Sequence, residues 1–319
     1  MIEMFPAVES YFFNISFRYL LPKIFSKKLG LINWLLTFIL IPNIWEVLGS
    51  ITSQEMLIII LFGGGWGIGA IGTGLGMDRL GMALAYPIIL GLVACGGALI
   101  PMAVFFPETL LTAKGLVLIG GTALVIVGII MISRAGSRKD PAGASAIKGS
   151  FASGLAICIM AGVLSCLLNI GYAYSTRLAQ QARELGAPDM LASSAVWLPF
   201  LTVGCIVNAG YSLYVMGKRK TARGFVGPEF GRNFLLGCLM GLLWIGGLYF
   251  YSIGASFLGS WGVVVGWVLF MSSLILTGNL WGIFRGEWKG APVAARALLN
   301  RGLIVLMIAI VIVACSNVL

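Results

Sequence analysis

Residues 56–77 read MLIIILFGGGWGIGAIGTGLGM. No charge interrupts them, and a helix needs about 20 apolar residues to cross a bilayer. Too long for a strand, the run predicts a transmembrane helix. Eight others read the same way, at about 31–50, 80–106, 115–134, 149–173, 192–216, 233–257, 260–284 and 302–318. A weaker run at about 8–24 carries Glu9, Asn14 and Arg18, each costly at the bilayer centre. It reads either as the first helix or as a segment lying in the interface. Counting it, the fold class is an all-α integral membrane protein of about ten transmembrane helices.

Composition agrees. Of 319 residues, 59% are hydrophobic and 10% charged, against about 25% charged in soluble domains. A soluble core cannot absorb that much apolar surface, so a water-soluble enzyme, a fibrous chain and a disordered chain are excluded. The net charge of +10 does not point to nucleic acid, because the basic residues lie in short loops between apolar runs. There is no histidine, and the six cysteines lie inside apolar runs without a CxxC pair. Neither a metal site nor a disulfide framework is expected, nor a cofactor, and no cleavable signal peptide is evident.

Numbering the weak run as helix 1, the loops after helices 1, 3, 5, 7 and 9 hold 17 of the 21 basic residues, from Lys23 through Lys218, Arg219 and Lys220 to Arg301. The other side holds Lys114, Arg177 and Arg183. Cytoplasmic loops carry the excess of Lys and Arg. The odd-numbered loops are therefore expected in the cytoplasm and the C-terminus in the periplasm. The Gly-, Ala- and Ser-rich loop 135–148 after helix 5 is the natural linker between a first half, 1–134, and a second, 149–319.

The halves share a pattern. Residues 66–81, WGIGAIGTGLGMDRLG, align without gaps on 244–259, WIGGLYFYSIGASFLG. Trp66, Gly69, Gly76, Leu80 and Gly81 match Trp244, Gly247, Gly254, Leu258 and Gly259. Lys114-Gly115-Leu116 opens helix 5 as Arg301-Gly302-Leu303 opens helix 10. A spacing of five helices makes matching helices cross in opposite directions, giving two inverted five-helix repeats, a recurring architecture of secondary transporters.

At about 100° per residue, Trp66, Gly69, Gly76 and Leu80 share an arc of about 80°, as do their partners, and Thr73 and Tyr251 lie on that face. Glycines there are read as close helix packing. Tryptophan prefers membrane interfaces, so two at mid-span, at equivalent sites, suggest either space filling or a ligand site. Asn33, Asn43, Tyr86, Asn169, Tyr172, Tyr174, Asn208, Tyr211, Ser252 and Asn279 are the neutral polar groups in or at the edges of the spans. Amides with aromatic faces suit a neutral sugar. The candidate substrate-binding residues are Trp66, Thr73, Asn208, Trp244 and Tyr251, with the indoles flanking a central cavity. Glu46, just after Pro42, is the candidate ion-coupling carboxylate, with an interfacial position as the alternative. Pro87 and Pro101 in helix 4 are expected to kink it and free carbonyls. Gly67-Ile68-Gly69-Ala70-Ile71-Gly72 spells GxGxxG, but inside a span it is a packing motif, without the strand and acidic residue that a dinucleotide site requires.

Trp66-Gly67-Ile68-Gly69, Gly74-Leu75, Arg79-Leu80-Gly81-Met82, Arg134-Ala135-Gly136, Trp244 with Tyr251, and Glu287-Trp288 together resemble the L-rhamnose–proton symporter family, a branch of the drug/metabolite transporter superfamily. The resemblance spans about 31–319. It implies ten helices in two halves and proton-driven uptake of a sugar across a bacterial inner membrane. The chain departs from the family pattern before Pro22, where a Gly/Ala/Ser-containing helix would open.

The function expected is a secondary active transporter that imports an L-rhamnose-like deoxysugar or related monosaccharide by proton symport and alternating access. Its partners would be the sugar, protons and the lipid bilayer. The alternative within the superfamily is an exporter or permease of another small metabolite. A membrane enzyme would need clustered acids or histidines at one interface, and the eleven acids are scattered.

Overall fold

The computed structural model describes residues 32–139, 150–220 and 230–319. Among these residues it is helical throughout, without a strand. The helices are α1 (32–40), α2 (Ile44–Gly49), α3 (Ser53–Leu80), α4 (Met82–Phe105), α5 (Ala113–Lys139), α6 (Phe151–Tyr174), α7 (Thr176–Glu184), α8 (Trp197–Arg219), α9 (Phe230–Phe257), α10 (Gly262–Phe284) and α11 (Val293–Cys315). Eight helical stretches among the described residues are long and apolar enough to cross a membrane: α3 to α6 and α8 to α11, with short turns extending α8 and α10 at their starts. This is a multi-pass membrane protein. The weak span at 8–24 lies outside the described residues.

The predicted span 31–50 is not one helix. It breaks after residue 40 and resumes at Ile44. Pro42 has no N–H to continue the ladder. Asn43 then turns the chain through a left-handed conformation, φ 52° and ψ 31°, which its short polar side chain tolerates. A second irregularity interrupts α3, where Ile59–Gly63 form a π-turn.

The chain condenses into two units. One joins the segment up to Ile71 with Gly171–Phe257, and the other joins Gly72–Ile170 with Leu258–Leu319. Each draws on both sides of the 135–148 linker, and the boundaries fall inside α3 and α6.

In the second unit the main seam is α5 against α11. A Cβ on Gly121 would lie 2.6 Å from Val313, and one on Gly128 would lie 3.2 Å from the Gly302 carbonyl. A Cβ on Gly302 would lie 2.9 Å from Ile132. Ala135, Leu299 and Leu303 close the end of this seam. The descending partners fix an antiparallel register, and the missing side chains let the backbones meet.

α4 carries the expected consequence of proline. Pro101 cannot donate to the Gly97 carbonyl one turn earlier. The buried Asn169 amide of α6 donates to that oxygen at 2.7 Å, and to the Val263 carbonyl at the start of α10 at 3.0 Å. Trp267 of α10 donates its indole N–H to the Val93 carbonyl of α4 at 3.0 Å. Two side chains thus tie three helices through backbone oxygens.

The GxGxxG run lies within α3 and packs helices, as expected. Gly67 faces α8, where a Cβ would sit 2.9 Å from the Gly204 carbonyl. Gly72 faces α6, where a Cβ would sit 3.0 Å from the Ala161 Cβ.

Candidate transport site

The polar chemistry of the first unit gathers on α1, α8 and α9. Asn33 is fully buried and donates to the Trp197 carbonyl at 3.2 Å. One turn on, the Thr37 hydroxyl donates to the Asn33 carbonyl at 2.7 Å and shares a 2.6 Å hydrogen bond with the Tyr249 hydroxyl. Trp34 donates its indole N–H to Thr202 at 3.1 Å. Trp197 donates its own to Ser252 at 2.6 Å and stacks on Tyr172, with ring centroids 4.7 Å apart. Tyr251 leans on both rings, at 5.5 Å and 6.1 Å. A neutral, aromatic, hydroxyl-rich interior results. Buried polar groups without partners cost a few kcal/mol, and these helices supply one another except at the Asn33 Oδ1, which has no partner among the described residues.

The predicted site residues divide. Trp66 and Trp244 come together and stack, with centroids 5.5 Å apart and planes 21° from parallel. Each lies within about one residue of the middle of its 28-residue helix, α3 or α9. Trp66 rests on Gly204, which has no side chain to hold it off. Asn208, one turn further along α8, donates to the Gly204 carbonyl at 2.8 Å and to the Gly67 carbonyl, next to Trp66, at 3.2 Å. Trp66, Trp244 and Asn208 therefore form one cluster. Tyr251 belongs instead to the buried Tyr172–Trp197 group and is 4% exposed. Thr73 lies past the boundary in α3, within the second unit.

The indoles do not stand on opposite walls of a cavity. A sugar ring between them needs two carbon contacts of ~3.5–4.0 Å each, so about 7–8 Å in all, and 5.5 Å excludes it. Glycines at 63, 67 and 204 draw α3 against α8, and the Trp66 ring, seated on Gly204, lies against Trp244 of α9. Both indoles are half-buried, so their outer faces and edges are what remain for a ligand.

Glu46 is exposed on α2. A carboxylate that the fold engages closely is Glu55, at the start of α3. Thr52 caps that helix: its hydroxyl accepts from the Glu55 N–H at 3.3 Å, and its own N–H donates to Glu55 Oε2 at 2.9 Å. Arg177 on α7 holds the same carboxylate in a fork, Nε to Oε1 at 2.7 Å and Nη2 to Oε2. Nη2 also donates to the Ser50 carbonyl at 2.7 Å. The Glu55 side chain is 13% exposed. The carboxylate raises the Arg177 guanidinium above its ordinary value. At the other end of α7, Asn43 donates to the Leu185 carbonyl at 3.0 Å. Both ends of α7 are strapped to the broken segment before α3, with Leu178, Ala179 and Ala182 buried beneath. One signal for Glu55 was legible, since Thr-x-x-Glu before an apolar run is a capping box. Its partner, 122 residues away, was not.

Residues 22–318 match the family described as the L-rhamnose-proton symport protein (RhaT). The chain belongs to this family. Curated relatives agree: the L-rhamnose-proton symporter of Salmonella paratyphi B is 28% identical over 293 residues, covering 88% of this chain and 85% of the relative. Those of Shigella boydii serotype 18 and Escherichia coli are 27% and 26% identical over 287 residues, each covering 88% of this chain and 83% of the relative. No solved structure matches. As a RhaT family member the protein is a transporter and not an enzyme.

Proposed function

We propose that this RhaT family member imports L-rhamnose or a closely related deoxysugar together with protons across a bacterial inner membrane, by alternating access. The observation that carries the reading is the family match over residues 22–318. The neutral interior on α1, α8 and α9 supports it, because sugars offer hydroxyls to amides and C–H faces to aromatic rings. Sugar would rest against the outer surface of the Trp66–Trp244 pair beside Asn208, with Tyr251 and Thr73 further along their helices. Glu46, exposed on α2, takes the interfacial role.

In this reading the chain works as two inverted halves, 1–134 and 149–319. The aligned glycines lend support. Gly81 and Gly259 both adopt positive φ, 76° and 69°, and both end long helices at matched places. The charge bias puts the odd-numbered loops inside and the C-terminus outside. A reporter active only in the periplasm should then work when fused at Leu319 and fail at Lys220.

The deciding experiment uses purified protein in lipid vesicles with an acid exterior. Radiolabelled L-rhamnose should accumulate above its outside concentration, and a protonophore should abolish the accumulation. Equilibration without accumulation at every imposed gradient would overturn symport. Accumulation of an unrelated solute in preference to L-rhamnose would overturn the substrate.

A further inference from the structure

We propose that the basic end of the α5–α11 seam is a binding site for an anionic phospholipid. The headgroup phosphate rests on Arg134, Arg138 and Arg301, and the acyl chains lie on the apolar stripes that these arginines end. The site is wholly within the second unit and does not depend on the sugar-transport reading.

The register of the seam sets the geometry. Gly121 meets Val313, Gly128 meets Leu306, Gly302 meets Ile132, and Ala135 lies with Leu299. Each step along α5 is thus an equal step back along α11. The same register sets Arg134 level with Asn300 and Arg301, and Arg138 level with Arg296. Beside these four arginines, Lys139, Arg285 and Lys289 stand at this end of the second unit. Among the described residues of 134–139 and 285–301 the acid is Glu287, and its carboxylate is tucked against Gly282, where a Cβ would lie 3.0 Å from Oε2.

The arginines continue faces that are turned outward. On α5, Leu116, Val127, Ile130, Arg134 and Arg138 are exposed and share an arc of about 80° at ~100° per residue. On α11, Arg301, Ile304, Ile308 and Val311 are exposed and share an arc of about 80° by the same count. Each stripe is apolar along the span and ends on guanidinium. A phospholipid has the same order, hydrocarbon and then phosphate. The planar guanidinium fork matches two phosphate oxygens, and basic groups at the membrane surface attract anionic lipid. An indole marks the headgroup level independently, since tryptophan prefers the interface. Trp288 packs on the Ala135, Leu299 and Leu303 end of the seam, with Lys139 Nζ 4.9 Å from its ring centre. The other end of the seam is different. There Lys114 is engaged over the Trp261 ring at 4.5 Å, and α11 runs out into Ser316-Asn317-Val318-Leu319 without a basic residue. The lipid site is therefore one-ended.

The test uses the full-length protein in a non-ionic detergent, offered equimolar phosphatidylglycerol and phosphatidylcholine, with bound lipid counted by native mass spectrometry. The wild type should prefer phosphatidylglycerol by about tenfold. Arg134→Gln, Arg138→Gln and Arg301→Gln combined should cut that preference by about fivefold or more. Lys218→Gln, Arg219→Gln and Lys220→Gln combined remove as much charge from the end of α8 and should leave it unchanged. In the wild type, a phosphatidylglycerol with a photoreactive acyl chain should label 123–130 of α5 or 304–311 of α11. Excess phosphatidylglycerol should prevent the labelling, and inorganic phosphate should not. This mapping decides the matter if the arginine variant does not fold. No preference in the wild type, an undiminished preference in the arginine variant, or equal losses in the two variants would overturn the proposal. Labelling elsewhere would overturn it too, as would displacement by inorganic phosphate, which would make the arginines a site for a free anion.

Discussion

The two units are built from the same apolar alphabet and hold together by different means. The second is a solid of small residues, in which Gly121, Gly128 and Gly302 let α5 and α11 interlock, and its buried amide, Asn169, donates to the carbonyl that Pro101 frees and to the Val263 carbonyl near the start of α10. The first is held by directed side-chain bonds: Thr37 to Tyr249, Trp34 to Thr202, Trp197 to Ser252, Arg177 to Glu55. Close packing has few alternatives and resists change. A hydrogen bond between hydroxyls can be exchanged for one to a sugar hydroxyl at little net cost. On the proposed function, the contrast makes the second unit the scaffold and the first the place where sugar would bind.

The largest effect should come from breaking the scaffold. Gly128→Leu pushes a branched side chain into the Gly302 carbonyl and Leu306. Overpacking a well-packed interior costs about 1–3 kcal/mol, occasionally more, and here backbone is what obstructs. Fluorescence-detected size exclusion should show loss of most of the folded protein at 37 °C. Full recovery of a monodisperse peak would mean the seam tolerates separation and is no scaffold.

A sharper test lies in α4. Asn169→Leu leaves the Gly97 carbonyl without its donor, at about 1–2 kcal/mol. Pro101→Ala supplies an N–H one turn on and should restore part of that loss. Thermal melts of both singles and the double should therefore show a coupling of about 1 kcal/mol. Strict additivity would show that the amide and the proline-freed carbonyl act independently.

In the first unit, Thr37→Val strands the buried Tyr249 hydroxyl, Tyr249→Phe takes from the Thr37 hydroxyl one of its two bonds and leaves that to the Asn33 carbonyl, and the double removes both hydroxyls. Each single should cost about 1 kcal/mol and the double little more than either. If the hydroxyls also serve the sugar, KM for L-rhamnose should rise in the double although its melting temperature falls little further than in either single. A KM unchanged in the double would confine the pair to structure.

The two units also differ in how legible they were. Scaffold features depend on local spacing and could be read from the chain: eight spans, the packing role of the α3 glycines, and the carbonyl freed by Pro101. The broken segment at Pro42 was hidden by its apolar flanks, because hydropathy counts residues and is blind to a missing N–H. Trp66 and Trp244 were found through their alignment, but alignment gives equivalence and not distance, so their contact was missed. Arg177 with Glu55, and Thr37 with Tyr249, are pairs between segments 122 and 212 residues apart. No periodicity encodes such pairs. Glu55 was passed over because it stands at a helix start, where a carboxylate has an ordinary reason to be.

The smallest expected effect concerns that indole pair, where scaffold and site readings compete within one contact. Trp66 lies on Gly204 and against Trp244, which is what space filling requires. Yet both rings are half-buried at mid-helix, and space filling does not explain why a polar indole N–H should stand there twice. Trp→Phe keeps most of the bulk and removes the N–H and part of the stacking face. If the pair only fills space, either variant should transport with normal KM and melt within a few degrees of the wild type. If sugar rests on the outer faces, KM should rise about two- to tenfold, as expected for a lost aromatic contact of ~0.5–1.5 kcal/mol, at unchanged maximal rate. Bound L-rhamnose should also protect the remaining indole from an aqueous quencher. Equal and normal KM in both, with no protection by sugar, would return the pair to the scaffold and leave binding to the hydroxyls of α1 and α9.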